Sequence, residues 1–178
     1  MDYSMYSILE TRSCATRHKP GEVLARAEYE VGTPAGVGPC NFLVKGAVKH
    51  TGNIVSPTYP GAYPKNLSCS YQFLGAPGER IRLEFRDFDL FYGGQHCPFD
   101  FVRIYDGPDN SSAIIGTYCG QQRNLVIYSS ESTLYVTFVT LRRTANTQNR
   151  GFRGIFEFSN SFTKLGLVIH RDVHPPYD

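Results

Sequence analysis

Between residues 40 and 158 several stretches alternate apolar and polar side chains with a period of two. In IRLEF (81–85), Ile81, Leu83 and Phe85 fall on one side and Arg82 and Glu84 on the other. LYVTFV (134–139) sets Leu134, Val136 and Phe138 on one side, and GFRGIFEF (151–158) does the same with Phe152, Phe156 and Phe158. In an extended chain every second side chain shares a face, so each stretch predicts a strand with one buried face. FVRIY (101–105) and LVIYSS (125–130) are more evenly apolar, the pattern of strands covered on both sides. Turn-forming stretches separate them: YPGAYP (59–64), GAPGE (75–79), YGG (92–94), DGPDNSS (106–112) and TANTQNRG (144–151). Short strands punctuated by Gly, Pro and Asn predict an all-β, two-sheet antiparallel β-sandwich. No stretch within 40–158 carries a helical period.

The flanks read differently. Residues 1–39 have mixed charge and end in VGTPAGVGP. Their EVLARAEYE (22–30) suits a short helix but offers no apolar face wide enough to dock it, so the segment reads as a linker or disordered arm. Residues 159–178 read as a C-terminal extension or linker, in which LGLVI (165–169) suits an edge strand.

Composition narrows the class of function. Hydrophobic residues make up 41% of the 178, with 12 Tyr, 12 Phe and no Trp, enough for one domain with a core and a tilt toward β structure. A net charge of +2 argues against nucleic-acid or membrane-surface binding. No apolar run approaches the length of a membrane span. The first twenty residues lack the unbroken apolar core of a secretory signal. Because other features point outside the cell, the expectation is a fragment, or a chain without its true start.

Five cysteines stand at 14, 40, 69, 97 and 119. None forms the close pairs of a zinc site. The last four allow three pairings; closed sequentially, each loop would stabilise the fold by roughly 3–4 kcal/mol in the chain-entropy model. Cys14 is left over, as an unpaired thiol or one with a partner elsewhere. Sequons at Asn66 and Asn110 mark candidate glycosylation sites, and with the spaced cysteines they favour an oxidising, secretory compartment.

Catalytic patterns are missing. There is no G-x-S-x-G, no H-E-x-x-H and no phosphate-binding glycine loop, and the five histidines read as solvated or satisfied. Two carboxylates acting as a glycosidase pair would need a cleft, for which the sequence gives no sign. The expectation is a protein that is not an enzyme.

The combination of Cys40, SPTYPGAYPKNLSC (56–69), FRDFDL (85–90), CPFDFVRIYDG (97–107), YCG (118–120) and GFRGIFEF resembles a CUB domain over residues 40–158. The resemblance implies a jelly-roll-like β-sandwich with disulfides Cys40–Cys69 and Cys97–Cys119. It also implies an extracellular module that binds other proteins, sometimes glycans. A narrower resemblance, resting on 85–107 and on FEFSNSFTKLGLVIHRD (156–172), is to suppressor-of-lurcher proteins, which would make the chain a modulator of ionotropic glutamate receptors. The alternatives are a non-catalytic targeting domain of a secreted protease and a sulfated-glycan-binding module.

Many CUB domains hold calcium, which takes six to eight oxygens. The resemblance places that site at Tyr63, Asp89 and Asp100. Where a third acid is due, this chain has Leu141, followed by Arg142 and Arg143. One carboxylate is lost and two cations are gained. The preferred expectation is therefore an arginine, Arg142 or Arg143, bridging to Asp89 or Asp100 in place of the metal, with calcium as the alternative. Asp87, Asn146 and Asn149 are further oxygen donors nearby. Asp106 and Asp109 read as turn formers bonding local backbone. Tyr59, Phe91, Tyr92 and Phe99 in loop-like sequence, with Arg142 and Arg143, are the candidate partner-binding residues.

Overall fold

The computed structural model describes residues 30–31, 40–142 and 146–162. Ten strands fill it: β1 (Glu30–Val31), β2 (Asn41–Lys45), β3 (Thr51–Val55), β4 (Ser68–Leu74), β5 (Arg80–Asp89), β6 (Phe101–Asp106), β7 (Ala113–Tyr118), β8 (Val126–Tyr128), β9 (Thr133–Val139) and β10 (Gly151–Ser159). They form two five-stranded sheets, ordered β1-β3-β10-β5-β8 and β2-β4-β9-β6-β7. All pairings are antiparallel except β1 with β3 and β2 with β4, which are parallel. The arm expected over 1–39 thus contributes a strand, with Val31 buried. The helix suggested over 22–30, apart from Glu30 in β1, lies outside the described residues, as do Cys14 and LGLVI.

The period-two stretches deliver the core. Ile81, Leu83, Leu134, Val136, Phe138, Phe152 and Phe156 are fully buried between the sheets. Phe152 meets Tyr71, Phe85 and Phe138 edge-on, with ring centroids 5.4–5.8 Å apart, the geometry that aromatic quadrupoles favour. The evenly apolar reading of 101–105 needs correction. β6 alternates, with Val102 and Ile104 inside and Phe101 and Arg103 half-buried outside, where the Arg103 guanidinium covers the Phe101 ring at 4.8 Å. β8 is a short edge strand with only Ile127 fully buried. An aromatic ring under an arginine looks core-like in sequence although it faces outward.

Successive strands from β2 to β10 run in alternating directions, so the loops gather at two poles. One pole holds the start of β4, β6 and β10 and the ends of β5, β7 and β9. It collects Tyr63, Asp89, Asp100 and Leu141. The opposite pole holds the β6–β7 turn with Asn110, and there Asp106 accepts bonds from the Ser130 amide (2.8 Å) and hydroxyl. Asp106 therefore ties the turn to the β8–β9 loop, instead of capping its own backbone. Asp109 does act locally, accepting from the Ser111 amide at 2.9 Å.

Disulfides lie at Cys40–Cys69 and Cys97–Cys119, both at the first pole.

Candidate functional site

Period-two geometry puts Asp87 and Asp89 on the same side of β5, and antiparallel pairing sets Gly151 of β10 opposite Asp89. Arg150 therefore arrives beside both acids. Its Nε and Nη2 donate to Asp87 at 2.6 and 2.7 Å, and its Nη1 reaches Asp89 at 3.1 Å. The Arg150 amide adds a bond to Asp89 at 3.3 Å, and the Asn149 side chain donates to Asp89 at 2.8 Å. Tyr59 completes the cluster by donating to Asp87 at 2.8 Å. The Arg150 bonds hold the Asp87 carboxyl below its ordinary pKa, against the opposing effect of burial. Burial and the acceptor Asp87 push the Tyr59 hydroxyl up, and Asp87 raises the Arg150 guanidinium further. Gly151 is required by this turn. Its φ of +86° is left-handed, and a Cβ there would sit 1.9 Å from Ser56 Oγ.

The second cluster belongs to the other sheet. Asp100, fully buried, accepts from the Tyr63 hydroxyl at 2.9 Å and the Leu141 amide at 3.2 Å. The Tyr63 oxygen in turn accepts from the Phe91 amide at 2.8 Å. Thr140 bonds Pro64 and Leu67, pinning the loop before β4 to the end of β9. The two clusters join where the Tyr63 amide donates to the Asn149 carbonyl at 3.4 Å.

The pairing expected of Arg142 or Arg143 is thus made to Asp89 by Arg150, a residue of the TANTQNRG turn that was not among the candidates. Arg142 is exposed; Arg143 lies outside the described residues. The available signal was the strand register, since two acids at i and i+2 on β5 want a cation from whichever residue the neighbouring strand sets beside them.

The carboxylates that a calcium ion would take are engaged within the chain. Both Asp89 oxygens and both Asp100 oxygens already accept hydrogen bonds. A guanidinium stands 3.1 Å from Asp89. Leu141 offers a donor where an oxygen ligand is needed. Among the described residues no three His, Cys, Asp or Glu side chains are grouped to hold a metal.

Around these acids the pole exposes three large apolar side chains. Tyr92 is 62% exposed, Leu141 42% and Phe99 37%. The Phe99 ring lies on Gly93, where a Cβ would come within 2.1 Å of it, and meets Phe91 at 5.9 Å. Asn66 is exposed beside this pole, and Asn110 is exposed at the other. His50 faces Glu79 at 3.5 Å, remote from these clusters, and gives no nucleophile–base arrangement.

Residues 40–156 match the family model described as CUB domain. The zinc metalloproteinase nas-39 of Caenorhabditis elegans is 36% identical over 134 residues, covering 75% of this chain and 13% of that protein. The dorsal-ventral patterning protein tolloid of Drosophila melanogaster is 35% identical over 105 residues, covering 59% of this chain and 10% of that protein. The chain therefore spans about a tenth of these relatives' length. Among solved structures, the MASP-1 CUB2 domain bound to Ca2+ superposes with a TM-score of 0.56 at 28% identity, covering 67% of this chain and 99% of that one. The sandwich, its disulfides and these matches agree: the chain belongs to the CUB domain family.

Proposed function

We propose that the chain is a non-catalytic, extracellular protein-binding module of a longer protein. It grips its partner with the pole carrying Phe91, Tyr92, Phe99 and Leu141, and Arg150 holds that pole in shape where related modules use calcium. The observation that carries this is the exposure of three large apolar side chains on loops locked by two hydrogen-bonded acid clusters. Rigid aromatic anchors lose little entropy on docking, which is why they dominate interface energetics.

The relatives reported above support a targeting role beside a secreted protease domain over modulation of glutamate receptors, since neither is a suppressor-of-lurcher protein. A sulfated-glycan site would rest on Arg142 and Arg143, and it would leave the apolar side chains uncovered.

The test is saturable binding of the full chain, presented as a dimeric fusion, to cell surfaces and deposited matrix. Binding is expected to withstand chelation and heparinase, to fall after brief proteolysis of the surface, and to be lost in a Y92A/F99A double variant. Ile114→Lys on the exposed edge strand β7 leaves it intact. Binding retained in Y92A/F99A, or abolished by heparinase or chelator alone, overturns the proposal.

A further inference from the structure

Among the described residues, the acids at the loop pole are paired within the chain. Asp87 and Asp89 are committed to Arg150, and Asp100 is buried and bonded to Tyr63 and Leu141. Glu84, on the wall of the neighbouring groove, is paired with Arg82 and Arg86. Arg123 and Arg142, by contrast, are exposed, and among the described residues neither has a carboxylate in ion-pairing range.

These two cations flank the apolar strip. Arg142 follows Leu141, whose amide bonds Asp100 next to Phe99. Phe99 lies on Gly93, adjacent to Tyr92, and the Tyr92 ring comes within 3.4 Å of a Cβ built on Gly120. Three residues further on, Arg123 lines the groove shared with Arg86, Asp87 and Arg150. Leu141, Phe99 and Tyr92 thus make up an apolar strip across neighbouring loops, with Arg142 next in the chain to Leu141 and Arg123 three residues beyond Gly120.

Resting on the protein-binding reading above, we infer that the partner presents an acidic segment carrying a large apolar side chain. The apolar group covers the strip and carboxylates meet Arg123 and Arg142. A basic segment would set like charges against two arginines, while the half-buried Asp87 is already held by Arg150. A sulfated glycan would satisfy the arginines but leave Phe99 and Leu141 in water, so the strip favours a polypeptide.

The probe is a phage-displayed library of random dodecapeptides panned on the full chain, with enriched peptides then synthesised and titrated by fluorescence anisotropy. Enriched peptides are expected to be net acidic and to contain Phe, Tyr, Trp or Leu. Their affinity should fall about tenfold or more in Phe99→Ala, as for an interface anchor, and fall further as salt rises. Arg123→Glu and Arg142→Glu lie on exposed residues without partners, so the fold should survive. The double variant should reject these peptides and enrich basic ones instead.

Enrichment of neutral or basic peptides that still require Tyr92 and Phe99 overturns the acidic partner while leaving the loop-pole reading standing. Peptides indifferent to all four positions, or no enrichment at all, overturn both. A heparin oligosaccharide that binds wild type, is lost in the arginine variants and is unaffected by Phe99→Ala would assign the cations to a glycan and overturn the inference.

Discussion

Replacing Arg150 with glutamine removes the cation between Asp87 and Asp89 while keeping a polar side chain of similar reach. Three charge-assisted hydrogen bonds disappear, two to Asp87 and one to Asp89. The Asp87 half is worth little by itself, because the Arg150 side chain is 44% exposed and exposed ion pairs contribute roughly 0.2–1 kcal/mol. The Asp89 half weighs more, since that side chain is only 9% exposed. Orphaning a fully buried partner costs roughly 3–5 kcal/mol, and Asp89 falls short of that limit because Asn149 and the residue 150 amide still serve it.

The expected loss is about 2 kcal/mol, a fall in melting temperature of about 8 °C for a domain of this size. The sign with pH follows from Asp87, whose carboxyl is held below its ordinary value in the folded state, chiefly by Arg150. That stabilisation is complete above the unfolded carboxyl value near pH 4 and is lost as pH falls through the lowered folded value. Wild type and Arg150→Gln should therefore differ most near pH 7 and converge as pH falls below the unfolded carboxyl value. Thermal melts followed by circular dichroism at several pH values, with calcium or with chelator, read this directly. A gap under about a degree near pH 7, or wild-type melting several degrees lower in chelator, refutes the internal-cation reasoning.

Three further outcomes are expected. Tyr63→Phe leaves Asp100 and the Phe91 amide each one partner short and should cost about 1–3 kcal/mol in urea denaturation, with faster amide exchange around Phe91. Phe152→Ala removes a ring that contacts aromatic residues from both sheets and should cost about 3–5 kcal/mol by the same measurement, whereas Ile114→Ala on the exposed edge stays within about 0.5 kcal/mol. In a secretory host, Asn66→Gln and Asn110→Gln should each remove one glycan's mass from the intact protein by mass spectrometry, and an unchanged mass rejects that sequon.

The legible part of the fold is the part that repeats. Leu83, Val136 and Phe156 announce their burial through the residues two places away, a property of the strand and not of its neighbours. What depended on neighbours was hidden. Arg103 over Phe101 made an outward-facing ring resemble core. Glu30 and Val31 form a strand only because β3 lies open beside them. Arg150 is the clearest instance. Its proximity to Asp89 follows from pairing β10 with β5 in one register, across some sixty residues of intervening chain, and local sequence carries no record of that choice. Family resemblance located Tyr63 and Asp100, yet the chemistry between them, a hydroxyl donating to a carboxylate, came only from the geometry.

The alternation of strand direction has an architectural consequence. Nine passes separate Cys40 from Ser159, an odd number, so these two residues lie at opposite poles, Cys40 at the one that exposes the apolar strip. The ten-residue β5 sets the distance between them at roughly 30 Å. A partner docked on the apolar strip would therefore sit a full sandwich away from Ser159.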